Sequence, residues 1–234
     1  LRGGVLQTVT NTTRLGPIRA LAEGADGTIW IGTSEGEIQR VQNMTLVSEP
    51  AIKEPVPLSV RSLLATPEGS LWVGYAGDGL GHFKDGRYHR LTSELGLPDD
   101  FITQLLYDGH KNLWIAGNRG LSQVSFDEIG KIIAGKSRRM SSRSYGSADG
   151  LPGLQPSRDY WPSAWHGGDG RLWFAMHNGV LLVEPEKSSE DLLPPLIQLE
   201  RVLVDEQLVA LYNAGSPLQT QKGSNVMNLR QTGA

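Results

Sequence analysis

Short apolar segments alternate with polar turns along most of the chain, and this pattern repeats. Residues 26–32 read Asp-Gly-Thr-Ile-Trp-Ile-Gly, and similar segments occupy residues 68–74, 110–116 and 169–175. The first three repeat tryptophans stand 42 residues apart and the fourth follows after 59; they are Trp30, Trp72, Trp114 and Trp173. A period of about 40–45 residues with four short strands per unit is typical of β-propeller blades.

Each repeat predicts β-strands joined by tight turns. In the first repeat, residues 18–22 suit an inner strand, and residues 29–31 form a short strand of β-branched and aromatic residues. Asp26 and Gly27 between them predict a hairpin turn, because glycine accepts positive φ without steric cost. The third repeat replaces this pair with His110 and Lys111, so we expect Asp108 and Gly109 to make the bend there.

The extra length before the fourth tryptophan predicts one helix. Ser125 and Glu128 have the spacing of a capping box, and Gly135 suits the position after a helix end. Four apolar side chains between these positions share one helical face. We therefore expect a short amphipathic helix near residues 126–134, inserted between two strands.

The composition and charge of the chain exclude several classes of partner and site. The chain has 38% hydrophobic and 20% charged residues, as ordinary globular proteins do, and a net charge of −3. That charge gives no general attraction to nucleic acid or anionic lipid, so we expect no nucleic-acid partner. No cysteine is present, which excludes disulfides and thiolate metal sites. No apolar run reaches the ~18 residues of a membrane helix, so we expect membrane attachment only through segments beyond this sequence.

The repeats resemble a known family, the two-component-regulator propeller of periplasmic sensor regions in bacterial hybrid histidine kinases and related receptors. The resemblance depends on the four tryptophan strands and on the loop at residues 94–100, Glu-Leu-Gly-Leu-Pro-Asp-Asp, which has a counterpart at residues 148–152. Residues 194–205 are similar to the opening of the immunoglobulin-like domain that follows the propeller in that family.

The resemblance implies an all-β fold in which four blades are an incomplete part of a seven-bladed ring. It implies propeller blades over residues 1–186, a linker at 187–193, and the truncated start of an immunoglobulin-like β domain at 194–234. It also implies a periplasmic location, as part of an inner-membrane receptor. Residues 4–10 could instead supply the outer strand missing from the last blade and close a four-bladed ring. We favour an open ring, whose exposed blade edges favour a homodimer.

The sequence contains few candidates for catalytic or metal-binding residues. The repeated aspartate has a structural interpretation as a turn former, and Glu68 and His110 replace it in two repeats, so no constant metal-ligand set exists. The five histidines lack metal-ligand spacing, and no nucleophile-elbow pattern is present. We expect no catalytic residues, no metal and no cofactor.

The best candidates for binding are residues that the repeat itself does not require. Connections between blades, and between second and third strands, share one end of a propeller, where pockets form. Aromatic faces and planar hydrogen-bonding groups there suit a sugar or another small polar ligand. The predicted ligand-binding residues are Tyr75, Asp78, Asn118, Arg119, Arg158, Tyr160 and His177.

These features favour a non-enzymatic, extracytoplasmic ligand-sensing propeller that binds a small-molecule or oligosaccharide ligand and relays a conformational change. One alternative is a propeller lyase of the streptogramin-degrading type, which needs a catalytic histidine such as His166 or His177 beside acidic metal ligands. The other is a scaffold whose propeller face binds another protein.

Overall fold

A computed structural model of the chain describes residues 9, 16–49, 52, 58–146, 149, 151, 156 and 162–187, and the backbone of three further strands between 201 and 220. It divides into two units, Leu1–Ser188 and Ser189–Ala234. Four antiparallel sheets make up the described part of the first unit. The prediction of an all-β propeller with four blades is confirmed.

Each blade is a meander in which consecutive strands pair. Blade 1 contains β1 (Ile18–Glu23), β2 (Ile29–Thr33), β3 (Ile38–Gln42) and β4 (Thr45–Ser48). Blade 2 contains β5 (Val60–Ala65), β6 (Leu71–Tyr75), β7 (Leu80–Lys84) and β8 (Arg87–Leu91). Blade 3 contains β9 (Ile102–Tyr107), β10 (Asn112–Gly117), β11 (Gly120–Ser125) and β12 (Arg143–Tyr145). Blade 4 contains β13 (Ala164–His166), β14 (Leu172–Met176) and β15 (Gly179–Val183).

The inner strands β1, β5, β9 and β13 lie side by side in that order, so each blade stacks on the next. The second unit is a separate antiparallel sheet of β16 (Arg201–Val204), β17 (Gln207–Asn213) and β18 (Ser216–Thr220). Within the described residues, no helix is both long and apolar enough to cross a membrane.

The repeated aspartates shape turns between first and second strands. The carboxylate of Asp26 accepts hydrogen bonds from the backbone amide and the hydroxyl of Thr28. The hydrogen bond from the backbone amide is the largest cause of the lowered pKa of Asp26. In blade 3, Asp108 Oδ1 accepts from three successive amides, those of residues 110–112, and Gly109 has a φ of 82°. Asp108 and Gly109 therefore make the bend, as predicted.

The predicted helix is α1 (Phe126–Ile133), which follows β11 directly. Ser125 Oγ accepts a hydrogen bond from the Glu128 amide at 3.2 Å, which is the first half of a capping box. The Glu128 carboxylate turns away to bind the Lys131 ammonium and the Ser141 amide, so the capping-box prediction is only half right. The apolar side of α1 packs into the core between blades 2 and 3.

The first three repeat tryptophans pack toward the blade that follows them. Trp72 of blade 2 is buried, and its ring stacks on Phe126 of α1. Trp114 of blade 3 is buried in one cluster with the apolar residues of blade 4. Trp30 of blade 1 meets the edge of Phe83 in blade 2. The apolar core of the first unit therefore lies largely between blades.

Candidate functional site

One end of the blades carries the turns between second and third strands and the connections between successive blades; we call it the loop face. Here the connection between blades 2 and 3, residues 92–101, binds the turn of blade 2 through its backbone. The carbonyl of Asp100 accepts hydrogen bonds from the amides of Gly77 and Gly79, at 3.1 and 2.8 Å. The Asp100 carboxylate accepts from the amide and hydroxyl of Ser93 and so closes the connection on itself.

Asp99 attaches the same connection to blade 3. Its two carboxylate oxygens accept hydrogen bonds from the amides of Phe101 and Arg119, each at 2.9 Å. The Arg119 guanidinium donates in return to the carbonyl of Pro98 at 3.1 Å. Gly117 permits this approach, because a Cβ there would stand 2.6 Å from the Phe101 carbonyl oxygen. Asp99 therefore holds the backbone of Arg119, and the Pro98 carbonyl holds its guanidinium, on the loop face.

A second cluster, formed by Tyr75, Asp78, Tyr88 and Arg90, lies in blade 2. Arg90 forms an ion pair with Asp78, and its guanidinium lies 4.5 Å from the centre of the Tyr75 ring. The Tyr75 and Tyr88 hydroxyls are 2.8 Å apart. Burial is the largest cause of a raised pKa for both tyrosines, and burial lowers the pKa of Arg90.

The predicted binding residues fall into distinct places. Tyr75 is fully buried and forms the ring on which Arg90 stacks, whereas Asp78 is part-exposed in the ion pair with that arginine. Asn118 and Arg119 are exposed in the turn between β10 and β11, and His177 is exposed in the turn between β14 and β15. Arg158 and Tyr160 lie outside the described residues.

Comparison with known proteins fits this architecture. The sequence model of the family described as "Two component regulator propeller" matches residues 14–35 and 96–119. Two segments of the chain are therefore similar to repeats of that family. The second match includes both Asp99 and Arg119, so residues 96–101 of the connection lie within the matched segment. No curated protein matches the sequence.

Solved structures with the same propeller fold include an extracellular domain of a two component system and a lyase. The extracellular domain of BT3049 from B. thetaiotaomicron, described as a hybrid two component system, is 21% identical with a TM-score of 0.55, over 72% of this chain and 22% of that one. Virginiamycin B lyase from Staphylococcus aureus is 17% identical with a TM-score of 0.53, over 75% of this chain and 55% of the lyase. The chain thus spans about a fifth of the first structure and about half of the second.

Sequence reasoning missed several residues of the loop face. Arg61, on the inner strand β5, places its guanidinium carbon 5.7 Å from the centre of the Phe101 ring. Asp99 and Arg90 were also missed. Asp99 binds the backbone amide of Arg119, and Arg90 contacts both Asp78 and the Tyr75 ring. A signal for Arg61 was present, because the inner strand has a polar side chain at the same position in the first three repeats, namely Arg19, Arg61 and Thr103.

The lyase alternative requires a catalytic histidine, such as His166 or His177, beside acidic metal ligands. His166 pairs with Leu172 within the sheet of blade 4, and His177 lies in an exposed turn of that blade. In the part of the chain that the structure describes, no group of three or more His, Asp, Glu or Cys side chains has a geometry that could hold a metal ion. The groups that the structure does assemble on the loop face are guanidinium, carboxylate and aromatic.

Proposed function

We propose that this chain is the propeller part of an extracytoplasmic sensor in a bacterial two-component receptor, and that its loop face binds a small polar, glycan-derived ligand. The observation that carries the proposal is the connection at residues 92–101, which Asp99 and Asp100 fix to blades 2 and 3. It assembles the exposed Arg119, the Arg61–Phe101 pair and the Arg90–Asp78 pair on one end of two blades.

These groups suit sugar recognition. Guanidinium and carboxylate groups hydrogen-bond to vicinal hydroxyls in fixed directions, and an aromatic ring offers an apolar face to the C–H side of a sugar. Asn118 beside Arg119 adds an amide that both donates and accepts. Arg158, Tyr160 and His177 complete the proposed set on the connection to blade 4 and on blade 4 itself.

The proposed role is non-enzymatic. The ligand binds one of two arrangements of the receptor more tightly than the other, so binding increases the population of that arrangement. In this proposal residues 1–186 are the propeller, 187–193 are a linker, and 194–234 begin an immunoglobulin-like domain that receives the change. The extracellular origin of the BT3049 domain supports placement outside the cytoplasm, in the periplasm.

Isothermal titration calorimetry of the chain against short neutral and acidic oligosaccharides tests the proposal, with mass spectrometry of each mixture afterwards. We expect saturable binding without product. Arg119→Gln keeps the backbone amide that Asp99 holds and removes the charge, so affinity should fall about tenfold or more. Arg87→Gln is the matched control, because Arg87 is exposed at the β7–β8 turn, at the opposite end of blade 2.

The outcomes separate the functions. An oligosaccharide converted to product would support an enzyme in place of a sensor. Absence of binding to every oligosaccharide at millimolar concentration would contradict a glycan-sensing loop face. Equal loss of affinity in Arg119→Gln and Arg87→Gln would show that binding depends on overall charge and not on the loop face.

A further inference from the structure

Blade 3 contains an insertion that blades 1 and 2 lack. In those two blades a turn of two residues joins the third strand to the fourth, whereas residues 126–142 stand between β11 and β12 in blade 3. α1 occupies the first half of this insertion, and residues 136–143, which we call the basic segment, lead from it into the outermost strand β12. The propeller repeat itself does not require the basic segment.

The basic segment concentrates positive charge in a chain that is acidic overall. It contains four basic and no acidic residues, whereas the whole chain has a net charge of −3. The four basic side chains are exposed; they are Lys136, Arg138, Arg139 and Arg143. The two acidic residues of α1, Asp127 and Glu128, pair with Lys131 instead. Within the described residues, the first three cations of the segment therefore form no ion pair.

Hydrogen bonds and one buried side chain hold the basic segment in a defined conformation. Met140 packs into the core between blades 2 and 3, and its amide donates to the carbonyl of Leu95 at 2.7 Å. The hydroxyl of Ser137 donates to the Arg139 carbonyl and accepts from the Arg139 amide. The guanidinium groups thus extend from an ordered backbone, which lowers the conformational entropy that is lost when a ligand binds.

We propose that the basic segment binds a linear polysaccharide that carries repeated sulfate or carboxylate groups. Arginine presents a planar fork of N–H donors that matches the oxygens of such groups, and short clusters of Lys and Arg form patches that bind heparin-like polyanions. The segment precedes the outermost strand of blade 3, whereas Arg119 lies in the turn between β10 and β11. This site is therefore separate from the loop face and does not depend on sugar binding there.

The chemistry of the segment favours a polysaccharide over a protein or a membrane. Tight protein interfaces depend on apolar and aromatic anchors, and interfacial membrane binding needs apolar side chains that insert beside the cations. The large apolar side chain of the segment, Met140, is 4% exposed and belongs to the core, and the other residues of the segment are basic or serine. A hydrated, repeatedly charged chain needs only the cations and hydroxyls that the segment offers.

Isothermal titration calorimetry of the chain with short heparin oligosaccharides tests the proposal. We expect saturable binding whose affinity falls about tenfold between about 50 mM and about 200 mM sodium chloride, because the contacts are ionic and release counterions. The double variant Arg138→Gln/Arg139→Gln should raise the dissociation constant at least about tenfold. Lys84→Gln/Arg87→Gln is the matched control: it removes the same charge beside the β7–β8 turn of blade 2 and should change the constant less than about twofold.

Two further titrations separate the basic segment from the loop face. Arg119→Gln should bind heparin oligosaccharides as the wild type does, and Arg138→Gln/Arg139→Gln should keep the wild-type affinity for any neutral oligosaccharide that the loop face binds. A loop face that binds no sugar would therefore leave the heparin result standing. Circular dichroism checks that the variants fold; Lys136→Gln/Arg138→Gln, which leaves the Ser137–Arg139 contacts in place, repeats the test if the first double variant is less stable.

Three results would overturn the proposal. One is the absence of heparin binding at about 50 mM sodium chloride, where ionic contacts are least screened of the two conditions. Another is an equal loss of affinity in the two double variants, or a loss in Arg119→Gln alone, which would place binding elsewhere on the propeller. The third is tighter binding to polyaspartate or to phosphatidylglycerol vesicles than to heparin, which would indicate an acidic protein or a membrane as the partner.

Discussion

The hydroxyl oxygen of Ser62 lies 3.1 Å from the backbone nitrogen of Leu105 and accepts its hydrogen bond, which joins two blades. β9, which contains Leu105, is the edge strand of its sheet, so its outward amides need partners from elsewhere. Ser62 is buried on the inner strand of blade 2, and its short side chain reaches the next inner strand. The contact between blades 2 and 3 is therefore polar as well as apolar.

We expect Ser62→Ala to lower the free energy of unfolding by about 1–3 kcal/mol, because it leaves a buried amide without this acceptor. Urea denaturation followed by circular dichroism measures the change. Ser48→Ala, at the exposed end of β4, is the control and should stay within about 0.5 kcal/mol of wild type. Equal effects in the two variants would show that the Ser62 hydrogen bond contributes nothing specific.

Two glycines should respond in opposite directions to the same substitution. A Cβ on Gly74 would stand 2.5 Å from Cγ2 of Ile102 in the next blade, so Gly74→Ala forces the blades apart and should cost about 1–3 kcal/mol. Gly130 lies inside α1 with open space around its Cβ position, so Gly130→Ala should add up to about 1 kcal/mol. Thermal unfolding of both variants provides the comparison. A stabilised Gly74→Ala protein would contradict the close approach of blades 2 and 3.

The fold was predictable because its signals are local and repeated. The spacing of the tryptophans gives the blades, and Asp108 with Gly109 makes the bend where the repeat pair is missing. The helix at α1 followed from its cap residue and its apolar face. Glu128 shows the limit of such signals, since Lys131 and Ser141 compete for its carboxylate.

Properties that depend on neighbouring blades were not predictable from one repeat. Trp114 and Trp173 occupy the same position, yet within the described residues only Trp114 is covered by a following blade. Tyr75 ends β6 where a loop-face residue was expected, and the Tyr88 hydroxyl and the Arg90 guanidinium enclose it instead. Asp99 reaches Arg119 across 20 positions of the chain, a contact that no local pattern indicates.

Acid should destabilise the propeller through His82. Burial, and then the positive charges of His89 and Lys84, lower the pKa of His82 from 6.5 to about 4, against an opposing effect of Glu68. The unfolded chain therefore binds a proton between these values that the folded chain does not. Protonation of His82 therefore does not affect the free energy of unfolding above pH 6.5. That free energy falls by on the order of 3 kcal/mol as the pH drops from 6.5 toward 4.

His82→Gln should flatten this part of the profile, as measured by urea denaturation at pH 7 and at about pH 4.5. His177→Gln, which changes an exposed histidine, should keep the wild-type slope. An unchanged slope in His82→Gln would mean that other groups account for acid unfolding. The His82 side chain also contacts Ser70 Oγ and the Trp72 ring, so the glutamine variant should be less stable at neutral pH as well.

Alkali should act through the tyrosine pair of blade 2. Burial raises the pKa of Tyr75 and of Tyr88, and for Tyr88 the nearby Tyr75 raises it further. Above pH 10, their ordinary pKa, the unfolded chain loses protons that the folded chain retains, so stability falls as the pH rises. Tyr88→Phe removes one of the two groups and should make this fall shallower, while the loss of the hydroxyl contact costs about 1 kcal/mol at neutral pH.

Denaturant unfolding at pH 8 and at about pH 11 measures both effects, and tyrosinate absorbance shows whether the pair ionises only on unfolding. Tyr145→Phe is the control: it removes a hydroxyl that donates to Gln123 in blade 3 and leaves the Tyr75–Tyr88 pair intact, so it should keep the steeper wild-type fall. Tyrosinate formation by Tyr75 or Tyr88 in the folded chain near pH 10 would contradict their burial. Because Arg90 lies over the Tyr75 ring and pairs with Asp78, the same titration also reports whether this part of the loop face stays closed to water.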